Sequence, residues 1–160
     1  DTEGWGVIKY TNLTSTGEPG QDVLWVDTDF PLFRLGDVYL MYAEAVARGG
    51  EGGDINTAVG YVNELRDRAY GETPHNKIDA AWLTANNYQN ILDERGRELC
   101  GEYCRFYDLK RTGMFKNSEY LENTHPDLAR FFHPNYALRP ISTTFTATIT
   151  NGSEYQNPGY

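Results

Sequence analysis

The sequence predicts a mainly α fold: helical hairpins set between irregular, loop-rich N- and C-terminal segments. Three observations carry that expectation. Apolar residues recur at steps of three and four through residues 31–48, 54–70 and 88–113, the spacing that lines one face of an α-helix. Acids and bases interlock on the same spacing in the third stretch. Elsewhere no long helical period is sustained, and glycine and proline punctuate short apolar runs. The chain therefore divides into an extended and looped segment, 1–30, a helical core, 31–113, and a loop-rich tail, 114–160, wrapped back over the helices.

One hundred and sixty residues suit one compact domain with enough chain to bury a core. Tyrosine, at 12 residues, outnumbers Phe (7) and Trp (3) together, which favours surfaces that are half apolar and half hydrogen-bonding. A formal charge of −9 argues against nucleic acid, whose phosphates need a basic stripe, and against adsorption to an anionic membrane. No apolar run approaches the ~20 residues that span a bilayer. The chain opens on Asp1, with no signal peptide and no lipid-anchoring cysteine at its start.

Within 1–30, Val7-Ile8-Lys9-Tyr10 and Val23-Leu24-Trp25-Val26 read as two extended segments joined by a turn around 16–20, with Trp5 and Trp25 packed on the core. Asp27-Thr28-Asp29 lacks the glycine and distal glutamate of a calcium loop, so Asp29 reads as the cap of a first helix with Pro31 in its opening turn. That helix, 31–48, is expected to bury Leu35, Val38, Tyr39, Tyr42 and Val46, while Ala43, Ala45 and Ala47 let a partner approach. Glu44 and Arg48 form a pair at four residues. After the glycine-rich 49–53, Asp54 caps a second helix to about Tyr70 that turns Ile55, Ala58, Val59, Val62, Leu65 and Ala69 inward. Together the two make an antiparallel hairpin resembling a tetratricopeptide-type unit. Residues 71–85 read as a long polar loop, and Asn86-Asn87 as the cap of a helix starting near Tyr88.

That helix carries the most constrained run in the chain, residues 94–113. Leu92, Arg95, Leu99, Tyr103 and Phe106 fall on one face of a single helix, or of two helices bent about Gly101. Glu94 reaches Arg97, Glu98 reaches Arg95, Glu102 reaches Arg105 and Asp108 reaches Arg111, each at three residues. Gly113 supplies the left-handed stop. Cys100 and Cys104, four apart, read as small buried apolar groups; a disulfide along one helical turn would strain the backbone, and His75, His125 and His133 lack ligand spacing, so no metal is expected. Beyond Gly113 a short helix is expected near 127–132, then extended chain with turns at Pro140, Asn151-Gly152 and Pro158-Gly159.

The pattern ER-x-x-EL-x-x-E-x-x-R-x-x-DL-x-R-x-G, from Glu94 to Gly113, resembles the signature of the C-terminal part of the SusD/RagB family. Two further blocks match in order: Phe33-Arg34-Leu35-Gly36-Asp37-Val38-Tyr39-Leu40-Met41-Tyr42-Ala43-Glu44-Ala45, and Gln156-Asn157-Pro158-Gly159-Tyr160. Val62-Asn63-Glu64-Leu65-Arg66-Asp67-Arg68-Ala69 resembles the short helix between the first two. Departures are small: Gly96 inside the signature helix, and Ser142 where a second proline is common. The resemblance implies a SusD-like α/α superhelix and a C-terminal part of a longer, lipid-anchored protein on the bacterial outer-membrane surface. It also implies non-catalytic binding of a glycan or other nutrient, without a cofactor, and delivery to a SusC-like, TonB-dependent transporter.

The residues themselves offer a candidate binding surface. Sugar recognition stacks an aromatic face on the pyranose ring beside hydrogen-bonding groups, and the longest internal loop holds Trp82 with Asn86 and Asn87, and Tyr70 with His75 and Asn76. The bland reading of each aromatic is hydrophobic cover over helix ends. Glu94 with Glu98, or Glu102 with Asp108, invite a glycosidase reading, which needs two carboxyls about 5 to 10 Å apart. Each has a basic neighbour one turn away, which lowers a carboxyl pKa where proton donation needs it raised. An ion-pair network of Glu94, Arg95, Glu98, Glu102, Arg105, Asp108 and Arg111 that fixes geometry is the favoured reading. A reading from a different class is a helical scaffold that docks proteins and has no ligand site.

Overall fold

A computed structural model describes residues 9–22, 24–27, 29, 31–131 and 133–160. Trp5, Val7, Ile8, Val23, Thr28 and Phe132, which entered the expectations above, lie outside the described residues. The architecture is helical, and the chain forms two compact units, Asp1–Tyr103 and Cys104–Tyr160. No helix among the described residues is long and apolar enough to cross a membrane.

In the first unit α1 (Leu35–Ala47) and α2 (Ile55–Tyr70) pair as a hairpin, followed by α3 (Ala80–Thr84) and α4 (Gln89–Glu98). Asp54 caps α2 as expected, its Oδ2 accepting from Thr57 N at 2.7 Å. The core is Leu40 and Ala43 of α1, Ala58, Val62 and Leu65 of α2, Leu83 of α3 and Ile91 of α4, closed by Ile78. Leu13 and Pro19 form one isolated bridge around the turn expected there, and no strand is present among the described residues.

Several expectations are corrected. The first helix starts at Leu35, four residues after Pro31, and its N-cap is Arg34 rather than Asp29. Arg34 is extended (φ −143°, ψ 158°), as N-cap residues ordinarily are, and its guanidinium reaches α4 and the turn beyond. Leu35 and Val38 are exposed, as are Leu32, Phe33 and Met41; the buried face carries Gly36, Leu40, Ala43 and Glu44. Apolar residues surround α1 on nearly every side, so periodicity alone could not choose between its faces. Ala69 is exposed on the last turn of α2, and Trp25, at 76% exposure, does not pack on a core.

The signature run takes the second of its two expected forms, two helices that break around Gly101. The chain leaves α4 at Leu99 and re-enters helix at Arg105, with Gly101 (φ 80°) and Tyr103 (φ 60°) left-handed between them. Tyr103 therefore leaves the expected stripe and is 82% exposed, while Leu92, Arg95 and Leu99 stay buried. The same break exposes Cys100, against the expectation of burial; Cys104 is half-buried.

The charges of this run reach much further than one helical turn. Arg34 donates from Nε and Nη2 to the two oxygens of Glu102, at 2.7 and 2.8 Å, and from Nη1 to Glu98 at 2.5 Å. Glu98 also takes Arg68 of α2, Arg95 takes Asp37 of α1 at 2.8 Å, and Lys9 pairs with Glu102. Glu94 pairs with Arg97 at three residues, as expected. Gly36 makes the central contact feasible: a Cβ there would lie 2.6 Å from Arg34 Nη1 and 2.8 Å from Glu98 Oε1.

In the second unit α5 (Arg105–Arg111) holds the buried Asp108, which receives Arg111 at 2.9 Å, and ends at the left-handed Gly113. Phe106 meets Phe115 edge to face, and Arg105 donates to the Tyr120 hydroxyl at 2.7 Å. Asn117 caps α6 (Ser118–Thr124), which the sequence did not reveal; α7 (Pro126–Ala129) falls near the short helix expected there. The tail is less extended than expected, since α8 (Thr143–Thr146) and the 3₁₀ turns Pro134–Ala137 and Gly152–Tyr155 interrupt it. Gln156 explains the last family-like block: its side-chain amide accepts from Ile141 N at 2.8 Å and donates to Ile141 O at 2.9 Å, pairing with that backbone as a strand would. Asn157 and Tyr160 add bonds to Arg139 O and Leu138 O.

Arg34→Ala leaves the buried Glu98 and the half-buried Glu102 short of their shared partner and is expected to lower unfolding free energy by about 3 kcal/mol in urea denaturation, with Gly36→Val close behind. Burial pushes the Glu102 carboxyl up, but hydrogen bonds and charge from Arg34 and Lys9 outweigh it and hold it below its ordinary 4.5. Its stabilisation is thus complete above that pH and fades as pH falls through the lower folded value. Denaturation midpoints measured from pH 7 to 3 are expected to fall on the acid side of 4.5, and to fall less steeply in Glu102→Gln.

Candidate functional site

Arg66 and Tyr70 lie one turn apart at the end of α2, and Asn90, Asp93 and Arg97 follow at steps of three and four along α4. Between them comes α3, short but well started, with Asp79 Oδ1 accepting from Trp82 N at 2.8 Å. These three elements border an open cleft of about 350 Å³ lined by Arg66, Tyr70, Trp82, Asn90, Asp93 and Arg97. Its size falls at the lower end of the range for small-molecule sites.

The floor is electrostatic. Arg66 Nη1 and Arg97 Nη2 both donate to Oε2 of the buried Glu94, at 2.8 and 2.6 Å. Arg66 also gives its Nε hydrogen to Asn76 O at 2.5 Å and lies over the rings of Tyr70 and Trp82, 5.3 and 5.8 Å from their centroids. Burial pulls the Arg97 pKa down, yet its bond to Glu94 leaves it above the ordinary value, so it stays charged. Trp82 is half-buried, packed against the hydrophobic core while it also lines the cleft. The indole therefore both covers the core and borders the cleft.

Of the six residues expected to bind ligand, Tyr70 and Trp82 meet in the cleft. Asn76 lies behind it, its carbonyl on Arg66 and its side chain on Thr73 Oγ1 at 2.6 Å, while His75 is exposed on a 3₁₀ turn and is not among the lining residues. Asn86 and Asn87 are exposed and do not cap α4. They form, with Tyr88, three successive left-handed residues (φ 51°, 52° and 66°). Asparagine tolerates that conformation better than most residues, which accounts for the pair at this position. Tyr88 is anchored beneath the Arg48 guanidinium, 4.3 Å from its ring centroid. Asn86 Nδ2 then reaches Asn90 Oδ1 at 3.2 Å, and Asn90 Nδ2 donates to Trp82 O at 3.0 Å, so the turn sets the polar rim beside the indole.

Arg66, Asn90, Asp93 and Arg97 were missed. The i, i+3, i+7 spacing of the last three was readable as one helical face, but only the fold shows which side of α4 it lines. Among the described residues no group of three or more His, Cys, Asp or Glu is arranged to hold a metal ion.

The helical hairpin, the signature helix α4 tied back to it by Arg34 and Arg95, and the stapled end block define a protein of one family. The chain belongs to the SusD family, whose model matches residues 1–160. It is 40% identical over 120 residues to the Starch-binding protein SusD of Bacteroides thetaiotaomicron, covering 75% of this chain and 19% of that protein. It is 38% identical over 111 residues to the SusD-like protein P25 of Formosa agariphila, covering 68% and 19%. The matched region thus spans about a fifth of the length of either relative.

If the left-handed turn sets the rim, Asn86→Val, with a β-branched side chain at positive φ, is expected to cost about 1 to 2 kcal/mol in urea denaturation, and Asn86→Gly close to nothing.

Proposed function

We propose that the protein captures a glycan at the bacterial cell surface without turning it over, and that the cleft between α2, α3 and α4 contributes to the site. In this reading the whole protein is lipid-anchored in the outer membrane and passes its ligand to a TonB-dependent, SusC-like transporter. The observation that carries the reading is the Trp82 and Tyr70 pair beside the Asn90 amide and the Asp93 carboxylate, an aromatic wall with a polar rim. Sugars present apolar C–H faces and hydroxyl edges that match such a wall. Family membership and a relative named for starch binding support it. Capture without chemistry fits the carboxylates: Glu94, Glu98, Glu102 and Asp108 are all engaged by guanidinium groups as structural partners.

A docking role has one observation in its favour. Leu32, Phe33, Leu35, Val38 and Met41 leave an apolar surface along α1 and the residues before it, each 46% exposed or more. In the docking reading that surface seats another part of the longer protein, and the chain has no ligand site.

Calorimetric titration of the full-length protein with a panel of neutral and acidic oligosaccharides separates the two readings. Capture predicts binding without release of reducing ends, weakened about tenfold or more by Trp82→Ala. Binding indifferent to that substitution moves the site elsewhere. Absence of binding, with loss of stability in Leu35→Asp plus Val38→Asp, favours docking.

A further inference from the structure

We infer that the cleft selects uncharged sugars and turns away acidic ones, an inference that rests on the capture reading above. Arginine is the usual partner of ligand carboxylates and sulfates, because its planar edge grips two oxygens at once. A cleft lined by two arginines therefore looks, at first, like an acid-binding site. The hydrogen bonds point the other way.

Arg66 has given its single Nε hydrogen to Asn76 O, which removes its side-on two-pronged edge. Its Nη1 and the Nη2 of Arg97 converge on one oxygen of Glu94, a carboxylate with 6% side-chain exposure. An acidic ligand would have to compete with that buried, prepositioned group for Arg66, while Arg97, which gives Glu94 one N–H and keeps others, has Asp93 close by to offset its charge. The charges also cancel: Arg66 and Arg97 are balanced by Glu94 beneath them and Asp93 on the wall. A uronate or sulfate entering such a site gives up hydration without meeting an uncompensated cation, and Asp93 repels it. A neutral pyranose loses less. Its hydroxyls find acceptors and donors in Asp93 and Asn90, and its C–H face finds the aromatic wall.

Both guanidinia then serve as framework. Arg66 ties α2 to α4 and to the 3₁₀ turn Pro74–Asn76 while it backs the Tyr70 and Trp82 rings. Glu94 fixes both arginines, and so sets the distance between the aromatic side of the cleft and the α4 side.

The test pairs the tightest neutral oligosaccharide of the panel with its counterpart oxidised at C6 to the uronic acid, which changes charge and keeps linkage. Full-length protein is expected to bind the neutral form at least about tenfold more tightly. Asp93→Asn makes the cleft net positive and is expected to narrow that ratio several-fold, an effect that shrinks at high salt. Arg97→Gln, at a half-exposed position, is expected to widen it. Opposite shifts from the two variants separate charge from simple damage to the site. A uronate as the tightest ligand sensitive to Trp82→Ala overturns the selectivity and leaves capture standing, as do ratios that move the same way in both variants. Binding of every sugar unaffected by Trp82→Ala overturns the cleft as the site and the selectivity with it.

Discussion

The contact on which the first unit depends is the grip of Arg34 on Glu98 and Glu102. One guanidinium, held just ahead of α1, spends donors on two carboxylates at the end of α4 and in the turn after it. All of these groups are largely buried, so the arrangement is expensive in desolvation and repays it only when geometry is good. That demand propagates outward. It accounts for the absent side chain at Gly36 and for Lys9 and Arg68 closing on the same acids. Arg95 and Asp37 repeat the theme one layer away, so α1 and α4 are joined twice by charge as well as by Leu40 and Ile91.

Much of this is legible in the residues alone. Capping at Asp54, the α2 face of Ala58, Val62 and Leu65, and the pairing of α1 with α2 follow from local spacing, and local spacing is what a sequence displays. The failures share one cause, which is that distant partners outvote local signals. Arg34 displaces Asp29 as the start of α1 because its partners are far away in sequence. Glu98 and Arg95 read as partners of each other from their separation of three, yet the contacts that join elements run to Arg34, Arg68 and Asp37. Tyr103 departs from its expected stripe, and Cys100 from its expected burial, where the chain turns at Gly101.

The cleft was half legible. Tyr70 and Trp82 stand out as aromatics in or beside a polar segment, and both line the cleft in the fold. Asn86 and Asn87 have the right chemistry for a polar rim but serve it indirectly, since they shape a left-handed turn rather than cap a helix. Arg66 and Arg97 were hidden because their meaning depends on Glu94, buried between α2 and α4. Sign and spacing alone could not show that the two arginines converge on one buried carboxylate.

The long reach of Arg34 also bears on the order in which the chain folds. Its partners are 64 and 68 residues away, whereas the α1–α2 hairpin closes over a short glycine-rich loop. Local closure is entropically cheaper and faster, so the hairpin forms first and the charged lock engages after α4 has arrived. An interaction formed only after the transition state for folding is broken on the way out. Weakening it then shortens the lifetime of the folded protein while leaving the speed of its formation nearly untouched. For a protein whose proposed place is the cell surface, persistence against unfolding matters more than rapid refolding, and this lock acts on persistence.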